Sequence, residues 1–488
     1  MKKTRKTTAH IDPILKKVAL GCVIGYLLLA TLFPLLAGEQ LYLKQADGCM
    51  SMPAAQSGTV ELCAGNYIDQ HFTTRIQRLE TVSLQWGTYY RANSGTVVME
   101  LYNMNTEQIL LSGSFDAASI PEGGITTLTA ETPLEELAGV PLMLRLYSPD
   151  SQSGSAVSPL MYTESTLPNT LLFFNGVAEP VTGTLCFSAQ GTDYIWFGLH
   201  YWTLAALGFA LLLAELVYAY WKCSHGRTSY LINAILAVRQ YRFLICQLVS
   251  RDFKTKYKRS VLGVFWSFLN PLLMMSVQYF IFSTIFKSDI PNYAAYLLVG
   301  IICFNFFSEV CNMSLYSILG NASLITKVYM PKYIYPVTKV LSSVVNLAIS
   351  LIPMVIVCLV TGVKFEESVL LSLYFLVCLI VFSMGMSLFL STAMVFFRDT
   401  QFLWGVFSTI WMYATAIFYP ESILPDNFRF VLDINPLYHF IKNVRICILN
   451  GISPEPAVYG QCLLIAIVTL LLGALVFKKN QDRFVLYL

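Results

Sequence analysis

Eight stretches of this chain are long enough, and free enough of charge, to cross a lipid bilayer as helices. A hydrocarbon core about 30 Å thick takes about 20 apolar helical residues. Val18–Gly38 and Tyr194–Ala214 each run 21 residues without a charged side chain; Ser260–Phe286 runs 27, Val340–Val363 24, Ser368–Phe397 30, Thr400–Pro420 21 and Pro456–Phe477 22. The remaining one, from about Ile290 to Leu319, is interrupted only by Glu309. Composition agrees. Charged residues are 12% of the 488, where soluble domains carry roughly 25%. A disordered, fibrous or ordinary cytosolic chain is excluded. The net charge of +3 gives no footprint for a nucleic-acid partner. The 12 cysteines are too sparse for a disulfide scaffold, and none sits with a second Cys or His at zinc spacing, so no metal site is expected.

The basic residues Lys2, Lys3, Arg5 and Lys6 before the first span resemble the start of a signal peptide. The apolar run is longer than a usual signal core, and Ala37-Gly38 is a poor cleavage site, so the segment is expected to stay as an anchor. Orientation follows the Lys/Arg bias. Six basic residues precede the first span, nine lie from Lys222 to Arg259, three (Lys327, Lys332, Lys339) follow the fourth span, and Lys478, Lys479 and Arg483 follow the last. With eight spans these all fall on the cytoplasmic side, with both termini. Residues 39–193 fall outside, with 5 basic and 16 acidic residues, 5 − 16 = −11.

The chain is thus read as a cytoplasmic N-terminus and first span (1–38), an extracytoplasmic domain (39–193), a second span (194–221), a cytoplasmic amphipathic helix (227–259) and a six-span region (260–488). In the extracytoplasmic domain Leu142, Leu144 and Leu146 alternate with Met143, Arg145 and Tyr147, and Val97, Met99 and Leu101 with Val98, Glu100 and Tyr102. Turn signals such as Asn93-Ser94-Gly95 and Pro121-Glu122-Gly123-Gly124 separate the runs. Many short strands predict an antiparallel, jelly-roll-like β-sandwich. Cys49 and Cys63 are candidates for a disulfide in that oxidising compartment, with Cys186 a third possible partner.

No G-x-x-x-x-G-K-[ST] loop occurs, so no nucleotide is cradled in the P-loop manner. No G-x-S-x-G elbow or H-E-x-x-H is present, and the spans lack the carboxylate chains of a proton-driven carrier. A transporter of this kind would draw its energy from a partner. On a helical wheel of ~100° per residue, Leu244, Ile245, Leu248, Val249, Phe253 and Tyr257 form one apolar arc, and Arg251, Lys254 and Lys258 cluster opposite. That pattern predicts an amphipathic helix in the cytoplasmic headgroup plane. Its basic face either binds anionic lipid or first grips an anionic lipid headgroup on its way to export.

At this point the residues carry a resemblance. Arg251-Asp252-Phe253-Lys254-Thr255-Lys256-Tyr257-Lys258-Arg259-Ser260, followed by Leu262-Gly263, Trp266 and Asn270-Pro271-Leu272, is similar to the opening signature of the type 2 ABC exporter permeases, closest to their polysaccharide, O-antigen and teichoic-acid branch. Asn321 to Lys332, ending in Tyr335-Pro336, resembles that branch's coupling loop (320–335). Phe397-Arg398-Asp399 is a third match. Phe418-Tyr419-Pro420, Asn435-Pro436-Leu437 and Arg445 resemble its re-entrant hairpin (421–455). The resemblance implies a six-helix type 2 ABC core with two extra N-terminal spans carrying the sandwich. It implies a homodimer powered by two separate ABC ATPase subunits that hold ATP and Mg, so that this bacterial plasma-membrane chain is itself no enzyme and binds no cofactor. Its cargo would be an undecaprenyl-pyrophosphate-linked polysaccharide.

On that reading Arg251, Lys254, Lys258 and Arg259 form a port for the lipid diphosphate, since Lys and Arg pair with phosphate by charge-assisted bonds. Leu324, Ile325, Lys327, Pro331 and Lys332 couple to the ATPase; the plainer alternative is an inter-helix turn. Sugar rings have apolar C–H faces that stack on aromatic rings, which makes Phe282, Phe286 and the one-faced set Trp404, Phe407 and Trp411 candidates for the path, against simple packing. Glu309 is an intramembrane carboxylate that serves the path or pairs structurally. Arg398 and Asp399 form a cytoplasmic gate or a local ion pair. Rival readings are an exporter of small hydrophobic compounds or lipids on the same fold, a glycan-modifying membrane enzyme, for which no acid/base or nucleophile set is found, and a surface receptor.

Overall fold

The computed structural model describes residues 2–46, 52, 54–163, 168–225, 230–258, 262–285, 290–327 and 330–487. Two compact units result: Met1–Leu41 with His200–Leu488, and Tyr42–Leu199. The chain opens with α1 (Lys2–Ala37), which belongs to the first of these.

The unit Tyr42–Leu199 is built of β1 (Leu43–Gln45), β2 (Ser57–Gly58), β3 (Tyr67–Thr73), β4 (Arg78–Gly87), β5 (Thr96–Asn103), β6 (Gln108–Asp116), β7 (Ile125–Leu134), β8 (Pro141–Tyr147), β9 (Ser158–Tyr162), β10 (Thr170–Phe174), β11 (Thr184–Leu185) and β12 (Phe187–Tyr194), then the single turn α2 (Trp196–Leu199). One antiparallel sheet has the order β1-β12-β4-β9-β11, with β2 on β9 and β7 on β4; the other runs β10-β3-β8-β5-β6. The alternation read from the sequence orients both. Leu142, Leu144 and Leu146 and Val97, Met99 and Leu101 point into a core that the other sheet fills with Leu79, Val82, Leu84, Trp86 and Phe187. Phe72 meets Phe187 across it at 5.0 Å, and the buried Trp86 indole donates to Thr126 Oγ1 at 2.7 Å. Cys186 is a buried free thiol. The expected Cys49–Cys63 pair lies outside the described residues, because Cys49 does.

The membrane unit continues with α3 (Tyr201–Ser224), α4 (Tyr230–Tyr257), α5 (Phe265–Tyr279), α6 (Tyr293–Leu315), α7 (Ala322–Lys327), α8 (Ile334–Val360), α9 (Ser372–Phe396), α10 (Thr400–Tyr413), α11 (Arg429–Ile434), α12 (Pro436–Arg445), α13 (Pro456–Asn480) and α14 (Phe484–Tyr487). Among the described residues seven helices are long and apolar enough to cross a membrane: Lys16–Leu41, Tyr201–Lys222, Phe265–Phe282, Tyr293–Leu315, Ile334–Val360, Glu367–Phe396 and Pro456–Tyr487.

The eighth expected span, Thr400–Pro420, needs correction. Its helix, α10, has 14 residues, a rise of about 21 Å, and stops where Ala416 turns left-handed at φ 48°. The crossing is still made. Tyr374 sits on Tyr459, 5.2 Å between rings, and Phe396 sits on Phe484 and Tyr487, so α9 and α13 run parallel and end together. The chain between them must therefore traverse the bundle once, and α10 does so jointly with the broken hairpin that follows.

Close helix approach in lipid depends on small residues. A Cβ at Gly473 would lie 2.1 Å from Gly385 O, and one at Gly385 would lie 2.5 Å from the Thr469 carbonyl carbon. Backbone thus touches backbone between α9 and α13, and only glycine fits. The pair α1 and α3 is antiparallel and tied by hydroxyls: Tyr26 donates to Ala205 O at 2.8 Å and Tyr201 to Ala30 O at 2.7 Å. Phe33 packs edge-on to Tyr459 of α13 at 5.1 Å, and the Gln40 amide accepts from Ser453 N, so α1 is joined to the 260–488 bundle.

Candidate functional site

Non-helical backbone at membrane depth survives only where its polar groups are bonded by protein or water. In the segment Tyr413–Tyr419 side chains meet six of the carbonyls, those of Tyr413, Ala414, Ala416, Ile417, Phe418 and Tyr419. Arg445, at the end of α12 and 7% exposed, donates from Nη1 to Ala416 O at 3.1 Å and from Nη2 to Ile417 O at 2.9 Å, while Nε reaches Tyr296 O at 3.2 Å. Its guanidinium lies 3.5 Å from the centroid of the Tyr296 ring. Among the described residues no carboxylate pairs with it; three carbonyl dipoles and a π face hold the charge, a geometry that the planar Arg fork suits and Lys does not. Tyr293 donates to Phe418 O at 2.6 Å, Tyr296 to Tyr419 O at 3.1 Å, Tyr419 to Tyr413 O at 2.6 Å, and Asn435 Nδ2 to Ala414 O at 3.0 Å.

Asn435 also closes the start of α12. Its Oδ1 accepts from Leu437 N at 3.1 Å, an N-cap with proline in the first turn. The same oxygen accepts from Trp411 Nε1 at 2.7 Å. The helix is broken between α11 and α12 at Asn435-Pro436, and the asparagine binds both limbs of the hairpin together.

The aromatic residues proposed from sequence divide by environment. Trp404 is buried and Phe407 is half exposed. With Trp411 they do share one face of α10, ring to ring at 5.8 and 5.1 Å. Trp404 and Trp411 pack on Phe307 of α6 at 6.0 and 5.2 Å. Phe282 stacks on Phe418 of the broken segment at 5.7 Å. Phe286 lies outside the described residues.

At the end of the bundle that carries the basic loops, α4 is clamped by ion pairs. Asp252 accepts from Lys339 of α8 at 2.7 Å and lies 3.3 Å from Arg251. One helical turn on, Lys256 pairs with Glu309 of α6 at 2.9 Å, and Asn346 of α8 donates to the same carboxylate oxygen at 2.6 Å. Tyr257 bonds to Asn346 at 3.1 Å and to Ser267. Asp252 opposite Lys339 and Tyr257 opposite Asn346 run α4 along α8 over seven residues, about 10 Å. Glu309, singled out from sequence, thus carries an ion pair. Its partner Lys256 was not singled out, because it lies off the wheel's basic cluster.

Of the four port candidates, Arg251 reaches Asn321 Oδ1 at 3.4 Å, so it touches the start of the coupling loop. Lys254 and Lys258 are exposed and, among the described residues, unpaired. Arg259 lies outside the described residues, as does the Lys327 side chain. Arg398 and Asp399 are exposed at the α9–α10 turn and make no ion pair among the described residues.

The loop 320–335, where coupling is expected from the sequence, is fixed to the bundle core. Ile325 and Met330 pack on a cluster of Ile318, Tyr335, Leu388, Val395, Phe477 and Phe484. Leu324 is exposed. Lys332 Nζ donates to Gln481 O at 2.6 Å and lies over the Phe484 ring at 5.9 Å. A cavity of about 650 Å³ opens beside it, lined by Pro331, Lys332, Leu388, Leu470, Phe477 and Asp482 among others.

Residues 244–449 match the family model of the ABC-2 type transporter. The chain is 30% identical over 244 residues to an O-antigen export system permease protein of Klebsiella pneumoniae, covering 93% of that protein and 49% of this chain. It is 26% identical over 256 residues to the O-antigen export system permease protein of Myxococcus xanthus, 98% of that protein and 52% of this chain. It is 24% identical over 243 residues to a polysialic acid transport protein of Escherichia coli, 92% of that protein and 48% of this chain. About half of the chain is thus shared with each relative. This polytopic helical membrane protein belongs to the ABC-2 type transporter permeases, in the branch that holds these O-antigen and polysialic acid permeases.

Proposed function

We propose that the chain is the permease subunit of an exporter that moves a lipid-linked polysaccharide across the bacterial cytoplasmic membrane. The observation that carries this reading is the 30% identity to an O-antigen export permease along 93% of that protein. Two copies form one channel, and two separate ATPase subunits with ATP and Mg drive it. Both termini are cytoplasmic. The domain 39–193 is an extracytoplasmic jelly-roll-type sandwich. Lys254 and Lys258, exposed beside Arg251, would meet the lipid diphosphate through charge-assisted bonds; Arg259 completes that port.

The wiring of the coupling loop supports the division of labour. A push on residues 320–335 reaches α9 and α13 directly, because Tyr335 is buried against Val395 and Phe477 and Lys332 is bonded to Gln481. Leu324, exposed on the short α7, and Pro331 and Lys332, beside the 650 Å³ cavity, present themselves to the ATPase. Lys332→Glu removes the bond to Gln481 and reverses the loop's charge. Co-expressed with the ATPase of the same locus, the native chain is expected to yield a complex whose vanadate-sensitive hydrolysis responds to lipid-linked glycan. The variant is expected to assemble less and to lose that response. Unchanged assembly and turnover in the variant would refute the coupling role.

A further inference from the structure

In the unit Tyr42–Leu199 both chain ends meet at one place, where β1 pairs with β12, Lys44 opposite Asp193. β4 starts beside them, with Arg78 opposite Thr192, and leads away until Leu84 stands opposite Phe187. The loop after β4, residues 88–95, therefore lies at the far end of the unit, about 30 Å from the chain ends for a ten-residue strand.

In that loop Tyr89 and Tyr90 are both left-handed, at φ 54° and 53°. A bulky residue rarely adopts this conformation, and two in succession persist only where the surroundings over-determine them. The surroundings here do so. The Glu122 carboxylate accepts from Thr88 N and Thr88 Oγ1, both at 2.6 Å, and from Tyr90 N at 3.3 Å. Asn93 Nδ2 donates to Thr88 O at 3.0 Å. Arg91 lies over the Tyr89 ring at 4.9 Å and is held by Glu61 and by Ala156 O. Glu61 in turn accepts from Gly154 N at 2.8 Å and Ser153 Oγ at 3.2 Å.

What this rigid mount displays is aromatic surface. Tyr90 is 90% exposed, so packing does not account for its strain; Tyr89, 47% exposed, carries Arg91 over its ring and donates to Thr59 O at 3.4 Å. The other aromatic patch of the unit is different in kind. On the five-stranded sheet Arg145 bonds Asp69 through two nitrogens at 2.8 Å, and the Tyr102 and Tyr147 hydroxyls both go to Glu100. Its polar groups are spent on cross-strand pairs within the sheet.

We infer that the Tyr89–Tyr90 tip is a binding site for an uncharged polysaccharide, the exported polymer itself, whose sugar rings stack on the two tyrosines. A loop whose backbone is already held by Glu122 and Asn93 loses little entropy when a sugar stacks on the rings it carries. The absence of charge follows from the −11 of residues 39–193, a field that repels a polyanion. The inference rests on the polysaccharide-export reading and narrows its substrate class.

The test uses the full chain in lipid nanodiscs and two soluble probes, the host strain's own surface polysaccharide and polysialic acid, with binding read by interferometry. Tyr90→Gly removes the ring and supplies the residue that the left-handed backbone favours, so it is expected to unfold at the same or a higher temperature while binding the host polysaccharide about tenfold more weakly. Tyr90→Phe keeps the ring and is expected to bind like the native chain. Polysialic acid is expected to bind neither. Equal binding by native and Tyr90→Gly chains, no binding of the host polysaccharide by the native chain, or tighter binding of polysialic acid would each overturn the inference. Failure of the underlying reading shows separately, as surface polysaccharide that persists when the gene is deleted.

Discussion

Replacing Arg445 by methionine keeps a long apolar stem and removes the guanidinium. Ala416 O keeps the Tyr296 hydroxyl at 3.2 Å, but Ile417 O, on a residue 1% exposed, is left with no partner among the described residues. A bare buried acceptor costs about 1–3 kcal/mol, and a lost bond to a charged donor about 1.5–3 kcal/mol. Removal of the guanidinium returns part of its own desolvation cost. The balance is about 3 kcal/mol against the closed hairpin, which is more than a hundredfold in its opening equilibrium. Hydrogen exchange at the amides of 414–419, measured on the purified chain in nanodiscs, reads that equilibrium locally. Gly300 supplies an internal check. A Cβ there would lie 2.5 Å from Arg445 Nη2, so Gly300→Ala is expected to open the same segment in the native background and to add much less once Arg445 is gone, a coupling of about 1 kcal/mol or more. An Arg445→Met chain whose exchange rises less than about threefold, or strict additivity in the cycle, would refute the reasoning.

Two further outcomes follow from other parts of the chain. Gly473→Leu drives a side chain into the Gly385 carbonyl and is expected to prevent α9 and α13 from closing, seen as loss of monodisperse protein in size-exclusion chromatography; a native profile and native unfolding temperature would contradict the contact. The unit Tyr42–Leu199 is expected to weaken in acid. Burial holds the His71 imidazole below its ordinary value of 6.5. The Arg91 guanidinium and Gly154 N hold Glu61, and Thr88 holds Glu122, below the ordinary 4.5. Each group takes up a proton more readily unfolded than folded, so its contribution is complete above the ordinary value and is lost as pH falls through the folded one. Stability should therefore decline as pH drops below about 6.5 and more steeply below about 4.5. His71→Phe should remove the first step, and a flat profile from pH 7.5 to 5 would count against it.

Span-length windows exposed most of the helical part of this fold because they report a solvent, and the bilayer acts on every residue alike. Strand alternation at 97–101 and 142–146 was legible for the same reason: burial on one face of a sheet imposes period two. Thr400–Pro420 misled because hydropathy measures polarity and ignores backbone direction. Nothing apolar in Ala414–Phe418 records that Ala416 is left-handed or that the helix ends there. The sign was displaced to the residues that satisfy the broken backbone, Asn435 and Arg445, of which one announces itself by the following proline and the other, three residues after Lys442, only by its place in the family resemblance.

That displacement also explains where polar ties occur in the 260–488 bundle. α6 holds both sets. Near its start Tyr293 and Tyr296 bond the broken end of α10, and thirteen residues after Tyr296, about 20 Å along the axis, Glu309 bonds Lys256 and Asn346. Between them α6 buries its own Leu297, Val299, Ile302, Phe306 and Phe307, which pack but do not direct. In lipid, apolar contact offers little preference among neighbouring arrangements, whereas a bonded carbonyl or carboxylate in a low dielectric has few acceptable positions. The two clusters therefore fix the register of α6 against α10 at one end and against α4 and α8 at the other. Any rearrangement that widens the bundle must break one cluster or move α6 with both.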